Sequence, residues 1–251
     1  MTPKPENFAE SAEQALGAPR DAIGDAVAGS AERLLGVSSQ RSSSPHLGWY
    51  SRGYLPHRDH PGLLQFITYR LADSLPAAVL ERMEAELGEL PPEQQNAARR
   101  KQIEEWLDAG HGSCVLRFPE AAACVVDNWR CFAGKRYDLI AWVVMPNHIH
   151  VLIRTYEGAS LGKIVQSWKS YTSRRIRALM EEEQRRAGAQ RSQAVWMREY
   201  WDRYIRDEKH FHAAINYIHQ NPVKAELVEK AEDWNWSSAR EFVERAGNAE
   251  R

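Results

Sequence analysis

The stretch Tyr-Asp-Leu-Ile-Ala-Trp-Val-Val-Met-Pro-Asn-His-Ile-His-Val-Leu-Ile-Arg, residues 137–154, decides how the chain is expected to fold. Its first eight residues are rich in β-branched and aromatic side chains, which is typical of a strand. Met145-Pro146-Asn147 interrupts this pattern, and a second strand begins at His148. The stretch therefore predicts two antiparallel strands joined as a hairpin.

The segments on either side of this hairpin add two strands and several helices. Ser160 is a natural N-cap for an amphipathic helix, and Pro222 should bound the last predicted helix, because the residue before a proline is pushed out of the α region. The additional elements are strands at 63–71 and within 196–205, and helices at 76–87, 93–107, 120–132, from Ser160 onward, and from Asp207 to about Gln220. This order predicts an α+β fold, with helices packed on one antiparallel sheet.

Composition divides the chain into an arm, a domain and a tail. Residues 1–47 are rich in Ala, Ser, Gly and Glu, and this composition predicts a flexible N-terminal arm. Residues 241–251 are expected to form a polar tail. Residues 48–240 contain the aromatic residues of a folded domain. Within it, 76–110 carry four basic and eight acidic residues, net −4, and we expect this acidic helical insert to face away from any phosphate backbone. Residues 134–178 carry eight basic and two acidic residues, net +6.

The global composition excludes several classes of protein. The 251 residues include 33 basic and 34 acidic ones, so the chain is not a uniformly cationic nucleic-acid coat. No apolar run reaches the roughly 18 residues needed to cross a bilayer, and the polar start does not resemble a secretory signal. Three cysteines without a CxxC pair favour a reducing, cytoplasmic environment. The phosphate-binding patterns GxxxxGK[ST] and GxGxxG are missing, so we expect no nucleotide cofactor.

Two histidines lie at the start of the second hairpin strand. Residues i and i+2 of a strand point to the same face, so His148 and His150 project together while Ile149 enters the opposite side. Two neighbouring neutral imidazoles suit a divalent metal. The alternative is that both are ordinary polar residues on a wet sheet face. Their position directly after the Met-Pro-Asn break fixes the geometry and favours the functional interpretation.

A tyrosine and an asparagine near the end of the last predicted helix form a second candidate group. Tyr217 and Asn221 are four residues apart and share one side of the helix if its last turn persists. A tyrosine beside a metal can attack phosphorus, because the cation lowers the cost of a phenolate. Asn221 could supply an oxygen ligand to the same cation. The alternative is a tyrosine that caps the core and an asparagine that ends a helix.

The order of these motifs resembles that of the HUH-type single-tyrosine transposases, in particular the REP-associated tyrosine transposase branch. The resemblance covers about residues 48–240 and excludes the N-terminal arm and the acidic insert from the small catalytic core of that family. It rests on 141–153 (Ala-Trp-Val-Val-Met-Pro-Asn-His-Ile-His-Val-Leu-Ile), 167–172 (Ser-Trp-Lys-Ser-Tyr-Thr), 200–208 (Tyr-Trp-Asp-Arg-Tyr-Ile-Arg-Asp-Glu), 217–228 (Tyr-Ile-His-Gln-Asn-Pro-Val-Lys-Ala-Glu-Leu-Val) and 234–239 (Trp-Asn-Trp-Ser-Ser-Ala).

The resemblance implies a ferredoxin-like core and assigns roles to the candidate residues. It implies that His148, His150 and Asn221 bind a divalent metal, Mg²⁺ or Mn²⁺, although other members use glutamine as the third ligand. It implies that Tyr217 attacks single-stranded DNA and leaves a 5′-phosphotyrosine link and a free 3′-OH. Tyr200 and Tyr204 compete for the role of nucleophile, but only Tyr217 heads the Tyr-Ile-x-x-Asn-Pro-Val-Lys stretch.

The basic helix that follows the hairpin is the candidate DNA-binding surface. Its lysines and arginines could grip phosphates, and Trp168 or Tyr171 could stack on an unpaired base. The alternative is a solvated charged face with an aromatic core stripe. The residues assigned to DNA binding are Lys163, Trp168, Lys169, Arg174 and Arg175.

Together these observations predict a cytoplasmic, metal-dependent transposase whose partner is single-stranded or hairpin DNA and not a membrane. The oligomeric state, monomer or homodimer, stays open. One rival is a replication-initiator or relaxase nickase, which shares the chemistry but would normally carry further domains. Another is a catalytically silent nucleic-acid-binding regulator that keeps only the fold.

Overall fold

A computed structural model of the chain describes residues 48–51, 56–187 and 194–249, and the predicted arm at 1–47 lies outside these described residues. The strands are β1 (Gly48–Ser51), β2 (Pro56–Asp59), β3 (Leu64–Arg70), β4 (Tyr137–Val144), β5 (His148–Thr155) and β6 (Trp201–Tyr204). The helices are α1 (Ala77–Gly88), α2 (Pro92–Asp108), α3 (Pro119–Phe132), α4 (Leu161–Ala187), α5 (Glu208–Lys224) and α6 (Ala239–Ala249). Short 3₁₀ helices lie at Val115–Arg117 and Ala231–Asp233.

The core of the fold is a four-stranded antiparallel sheet in the order β4-β5-β3-β6. The two central strands are thus far apart in sequence, and the helices α3 and α4 connect strands in the βαββαβ order of a ferredoxin-like fold. The predicted α+β class and the predicted hairpin of β4 and β5 are confirmed. In the register of β3 and β5, Thr68 lies opposite His150 and Arg70 opposite His148.

The two faces of the sheet pack on different helices, which explains the alternation of side chains along β5. Ile149, Val151 and Ile153 belong to a buried cluster that includes residues of α3 and α4, such as Trp129 and Trp168. The opposite face contributes a second cluster, which consists of Leu64, Ala141, Val143, Met145, Leu152, Ile205, Phe211, Ala214, Ile215 and Ile218. The face that carries the even-numbered residues of β5 is therefore the face that α5 covers.

Local sequence signals explain where two of these helices begin. Asp207 caps α5, because its carboxylate accepts a hydrogen bond from the backbone N–H of His210 at 2.8 Å. At α4, the expected side-chain cap by Ser160 is wrong. The Ser160 hydroxyl donates to Asp59 at 2.8 Å, and Asp59 accepts from the backbone N–H of Leu161 at 3.3 Å. Because Asp59 belongs to β2, a residue distant in sequence provides this cap.

Several predicted boundaries differ from the structure. The last strand spans only 201–204, and Trp196 forms an isolated bridge with Leu71. Helix α5 continues through Pro222 to Lys224, because the burial of Ile218 and Pro222 holds the chain in the helix despite the missing N–H of the proline. The segment predicted as a polar tail from 241 is helical up to 249, within α6. Within the described ranges, no helix is both long and apolar enough to span a membrane.

The acidic insert forms a helical hairpin, α1 and α2, with a small apolar cluster of its own. This cluster consists of Leu75, Met83, Leu87, Ile103 and Leu107. The end of α2 is joined to α5 by an ion pair of 2.6 Å between Lys224 Nζ and Asp108 Oδ2. The insert is thus tied to the face of the sheet that carries His148 and His150.

Candidate metal and nucleophile site

His148 and His150 lie side by side on β5, and their Nε2 atoms are 3.1 Å apart. The prediction that both rings project from one face is confirmed, with ring centroids 4.8 Å apart. Each side chain is only 1% exposed, so these are not polar residues on a wet sheet face. The two ring nitrogens instead converge inside the protein.

Each histidine has a hydrogen-bond partner at its second ring nitrogen. His148 Nδ1 lies 2.7 Å from Asn147 Oδ1, and His150 Nδ1 lies 2.7 Å from Thr68 Oγ1. Such outer partners hold metal-ligating imidazoles in place and leave the opposite nitrogen for the ion. The cross-strand register explains the second contact, since Thr68 lies opposite His150.

Both histidines are held in the neutral form. Burial lowers the pKa of His148 to about 3, and the positive charge of Lys224 contributes. Burial also holds the pKa of His150 well below its usual range, assisted by His148 and Lys224. A neutral imidazole has a lone pair available for a cation, so the protonation state near neutral pH is the one that metal binding requires.

Tyr217 contacts this histidine pair from α5. Its ring packs edge-on against His150, with centroids 5.2 Å apart, and against Phe66, with centroids 5.8 Å apart. Phe66 also stacks on His150 at 5.4 Å, so its side chain forms a wall of the site. The Tyr217 hydroxyl oxygen is shielded from solvent. Asn221 and Glu104 lie near it, but neither makes a hydrogen bond of good geometry with it.

Asn221 follows Tyr217 by one turn of α5, so the last turn persists as the sequence analysis required. The side chain is 1% exposed, and neither Oδ1 nor Nδ2 makes a hydrogen bond of good geometry among the described residues. Asn221 does lie near enough to the Tyr217 phenol to favour its ionised form. A buried amide oxygen without a partner is an available oxygen ligand.

The residues present fit a divalent metal. Two ligand atoms that bind the same ion at about 2.1 Å, in adjacent octahedral positions, lie about 3.0 Å from each other. The two Nε2 atoms are 3.1 Å apart, which is close to this separation. Nowhere in the described ranges do three or more His, Cys, Asp or Glu side chains gather at a possible metal site. Asn221 Oδ1, which is buried and has no hydrogen bond of good geometry among the described residues, is the candidate third protein ligand.

Acidic side chains of the insert lie beside Tyr217, which corrects the expectation that this segment faces away from the phosphate site. Burial raises the pKa of the Tyr217 phenol well above its usual range, and the carboxylates of Glu104 and Asp108 raise it further. The net charge of residues 76–110 does not show which neighbour α2 faces. The ion pair of Asp108 with Lys224 shows that its last turn faces α5.

The competing tyrosines have other neighbours. Tyr200 is buried and stacks on His57 with centroids 4.5 Å apart. Tyr204 lies under the Arg58 guanidinium, 4.4 Å from the ring centroid. The ring contact with His150 comes from Tyr217, which supports Tyr217 as the nucleophile.

Two of the residues predicted to bind DNA have structural roles instead. Trp168 is fully buried and its Nε1 donates to the Tyr137 hydroxyl at 3.0 Å, so it offers no face on which a base could stack. Lys169 Nζ donates to the carbonyl oxygens of residues 197, 198 and 199 at 3.0–3.2 Å. Both predictions are wrong in this structure, because α4 packs these side chains against the core and the segment before β6.

The remaining basic residues of α4 are compatible with the predicted surface. Lys163, Arg174 and Arg175 are exposed. Tyr171, the second aromatic residue considered for base stacking, is 45% exposed. The site residues that the sequence analysis missed are Phe66, Thr68, Glu104, Asp108 and Asn147. Of these, Asn147 had a signal, since it directly precedes the histidine pair.

Residues 129–221 match the family described as Transposase IS200 like. This segment contains both histidines, Tyr217 and Asn221. Two curated relatives are similar over part of the chain. A putative REP-associated tyrosine transposase of Haemophilus influenzae is 29% identical over 103 residues, which are 41% of this chain and 58% of the relative. A REP-associated tyrosine transposase of Escherichia coli K12 is 28% identical over 111 residues, 44% of this chain and 59% of the relative.

A solved structure titled "Structure of the REP associates tyrosine transposase bound to a REP hairpin" is similar with a TM-score of 0.43 and 17% identity, over 83% of this chain and 87% of that one. The matches to the curated relatives span less than two thirds of their lengths. The comparisons confirm the predicted resemblance to IS200-like transposases. Within that class, the chain is similar to the REP-associated tyrosine transposases.

Proposed function

We propose that the chain is a metal-dependent DNA transposase that cleaves and rejoins single-stranded, hairpin-bearing DNA of the REP type, with Tyr217 as the nucleophile. The observation that carries the proposal is the contact of the Tyr217 ring with His150, whose Nε2 lies 3.1 Å from that of His148. The names of the curated relatives support the same reaction class.

In the proposed cleavage step, the Tyr217 oxygen attacks the scissile phosphorus and the bond from phosphorus to the 3′-oxygen breaks. The phenol loses its proton, and the departing 3′-oxygen gains one. The products are a 5′-phosphotyrosine link and a free 3′-OH. Attack by a 3′-OH on the same phosphorus reverses the step and rejoins a strand, so the phosphodiester energy is kept and no nucleotide cofactor is required.

The side chains of the site would bind and orient the reacting groups. His148, His150 and Asn221 would hold a divalent cation, Mg²⁺ or Mn²⁺. When bound, this cation would offset charge on the scissile phosphate and lower the cost of a phenolate. Without it, the burial of Tyr217 and the carboxylates of Glu104 and Asp108 disfavour the phenolate. Phe66 packs against both rings and restricts the direction of the nucleophile.

The exposed basic residues of α4 are proposed as the phosphate contacts. Lys163, Arg174 and Arg175 are exposed and could neutralise the backbone without reading sequence. Tyr171 could stack on an unpaired base, since nearly half of its side chain is accessible. This role passes to Tyr171 because Trp168 lies in the core.

Detection of a covalent adduct tests the proposal. The full chain is incubated with labelled hairpin-bearing single strands and Mn²⁺ or Mg²⁺, and the products are separated on a denaturing gel. We expect an adduct with the wild type and none with Tyr217→Phe. The matched control is Tyr204→Phe, which removes the same atom from a competing tyrosine and should leave the adduct intact.

Three outcomes would contradict parts of the proposal. An adduct that peptide mapping places on Tyr204 or Tyr200 would overturn the assignment of the nucleophile but keep the reaction class. Strand cleavage that persists undiminished in EDTA would overturn the role of the metal. If the wild type binds hairpin DNA but forms no adduct with any divalent metal, the chain is a silent nucleic-acid-binding regulator.

A further inference from the structure

Asn147 contacts both the histidine pair and the acidic insert. It lies in the turn between β4 and β5 and is 1% exposed. Its Nδ2 atom lies 3.1 Å from the carbonyl oxygen of Leu107 and 3.0 Å from that of His111. Its Oδ1 atom lies 2.7 Å from His148 Nδ1. One side chain therefore joins the end of α2 to a predicted metal ligand.

The two carbonyl oxygens determine how the Asn147 amide is oriented. Carbonyl oxygens only accept hydrogen bonds, so the NH₂ group must face them, and its two hydrogens match the two acceptors. A flipped amide would place Oδ1 against two other oxygens and lose both bonds. Oδ1 must consequently face His148, where it can only accept.

This orientation in turn determines which nitrogen of His148 carries the proton. Because Asn147 Oδ1 accepts, His148 Nδ1 must donate. The ring is 1% exposed and lies against a second imidazole, an environment that favours the neutral ring with a single N–H. His148 Nε2 is then bare, and it is the nitrogen that lies 3.1 Å from His150 Nε2. A bare Nε2 is the form that can coordinate a cation.

We infer that Asn147 is a positioning residue that fixes His148 in the Nδ1–H tautomer, and that two backbone carbonyls, one in the last turn of α2 and one directly after the acidic insert, fix Asn147. The inference rests on the proposed metal-binding role of His148. It makes the insert part of the site, whereas the resemblance to the transposase family placed it outside the catalytic core.

The backbone that presents these carbonyls is firmly anchored. Ser113 N–H donates to Asp73 Oδ2 at 2.9 Å. Gly112 has φ +90° and approaches Asp73 so closely that an added Cβ would lie 2.5 Å from its backbone oxygen. Asp108 is paired with Lys224 at 2.6 Å. Contacts on both sides of the turn thus keep the Leu107 and His111 carbonyls directed at Asn147.

Nuclear magnetic resonance of the metal-free full chain, labelled with ¹⁵N-histidine, tests the inference directly. Correlations from ring carbon protons to both ring nitrogens identify the tautomer, and His148→Gln assigns the signals. We expect wild-type His148 at pH 7 to be protonated on Nδ1. In Asn147→Ala, the preference for Nδ1–H should disappear, and the Kd for Mn²⁺ without DNA should rise by about 10- to 100-fold, the usual effect of removing such an outer partner.

Gln95→Ala is the matched control. Gln95 Nε2 donates to the Leu90 carbonyl at 2.9 Å within the insert, so this variant also removes an amide-to-carbonyl bond, but one without a histidine at its other end. It should leave the His148 tautomer and the Mn²⁺ affinity unchanged. If Asn147→Ala does not fold, the wild-type spectrum alone decides, since Nε2-protonated His148 would overturn the inference. An unchanged tautomer in a folded Asn147→Ala would also overturn it.

These readouts separate the inference from the proposed function. The tautomer is measured without metal or DNA, so the absence of a covalent adduct would refute the transposase reaction and leave the role of Asn147 standing. Conversely, an Nε2–H tautomer in a protein that does form the adduct would refute only the role of Asn147.

Discussion

Removal of one oxygen from Tyr217 should have opposite effects on stability and activity. The Tyr217 hydroxyl is buried, and its polar neighbours Asn221 and Glu104 make no hydrogen bond of good geometry with it. A buried polar group without a well-formed hydrogen bond costs up to about 1–3 kcal/mol, and Tyr217→Phe removes part of that cost while keeping the ring contacts. We expect the free energy of unfolding to stay equal or to rise by about 1 kcal/mol, which corresponds to a Tm increase of about 2–4 °C in a domain of this size. The same variant should form no DNA adduct.

Tyr137 provides the matched comparison, because its hydroxyl is also buried but has two partners. It donates to the Trp129 carbonyl at 2.8 Å and accepts from Trp168 Nε1 at 3.0 Å. The Trp129 carbonyl also accepts from the backbone N–H of Ala133, so the group left unpaired in Tyr137→Phe is the indole N–H. An unsatisfied buried donor costs about 1–3 kcal/mol, and Tyr137→Phe should lose stability by that amount.

Urea unfolding in EDTA at pH 7 measures both variants against the wild type. The urea concentration at the unfolding midpoint should fall for Tyr137→Phe, and it should rise or stay unchanged for Tyr217→Phe. The slope of the free energy of unfolding against urea concentration should be the same in all three proteins. If Tyr217→Phe loses as much stability as Tyr137→Phe, the Tyr217 hydroxyl has a partner in the folded protein. The reasoning would then be refuted. A gain in stability together with the absence of an adduct is the behaviour expected of a group retained for function.

Three further predictions concern metal binding, DNA and pH. His148→Ala or His150→Ala should keep the fold, seen by circular dichroism, but abolish Mn²⁺ binding in calorimetry, and undiminished binding would contradict the ligand assignment. Replacing Arg174 and Arg175 with glutamine should reduce the slope of log binding constant against log salt concentration for single-stranded DNA, by roughly 0.7 for each lost phosphate contact. An unchanged slope would show that this face is a solvated surface only. Burial lowers the pKa of His219 to about 4, so between pH 4 and 6.5 the unfolded chain binds more protons and stability falls as the pH drops. The decrease in stability between pH 7 and pH 5 in urea unfolding should be about 2 kcal/mol smaller in His219→Gln, and an equal decrease would show that His219 titrates normally.

The elements around the hairpin could be predicted because their signals are local. Met145-Pro146-Asn147 separates two strands of opposite direction, and the period of two places His148 and His150 on one face. The fold class follows from the order of such elements. The cap of α4 by Asp59 could not be predicted in this way, since it depends on a residue about 100 positions away.

The errors on α4 and in the insert have a common physical origin. Trp168 lies on the same helical stripe as Ile164 and Ile176, so its burial was readable from spacing, but its aromatic character favoured a role in base stacking. Lys169 was assigned by charge alone, although its ammonium group binds backbone carbonyls. The net charge of a segment does not show which way its charged side chains point. For this reason the position of Asp108 beside α5 was not predicted.

The central position of β3 limits how far the chain can be shortened. The segment similar to the transposase family, 129–221, contains β4, β5, β6 and most of α5 but lacks β3, which pairs with β5 along 64–70 and with β6 along 65–68. A fragment restricted to that segment would expose the full edge of β5 and leave β6 without a neighbour, and such edges recruit other chains. We therefore expect that residues 129–221 do not fold on their own. The smallest transferable module must begin before Leu64, however compact the motif looks in sequence.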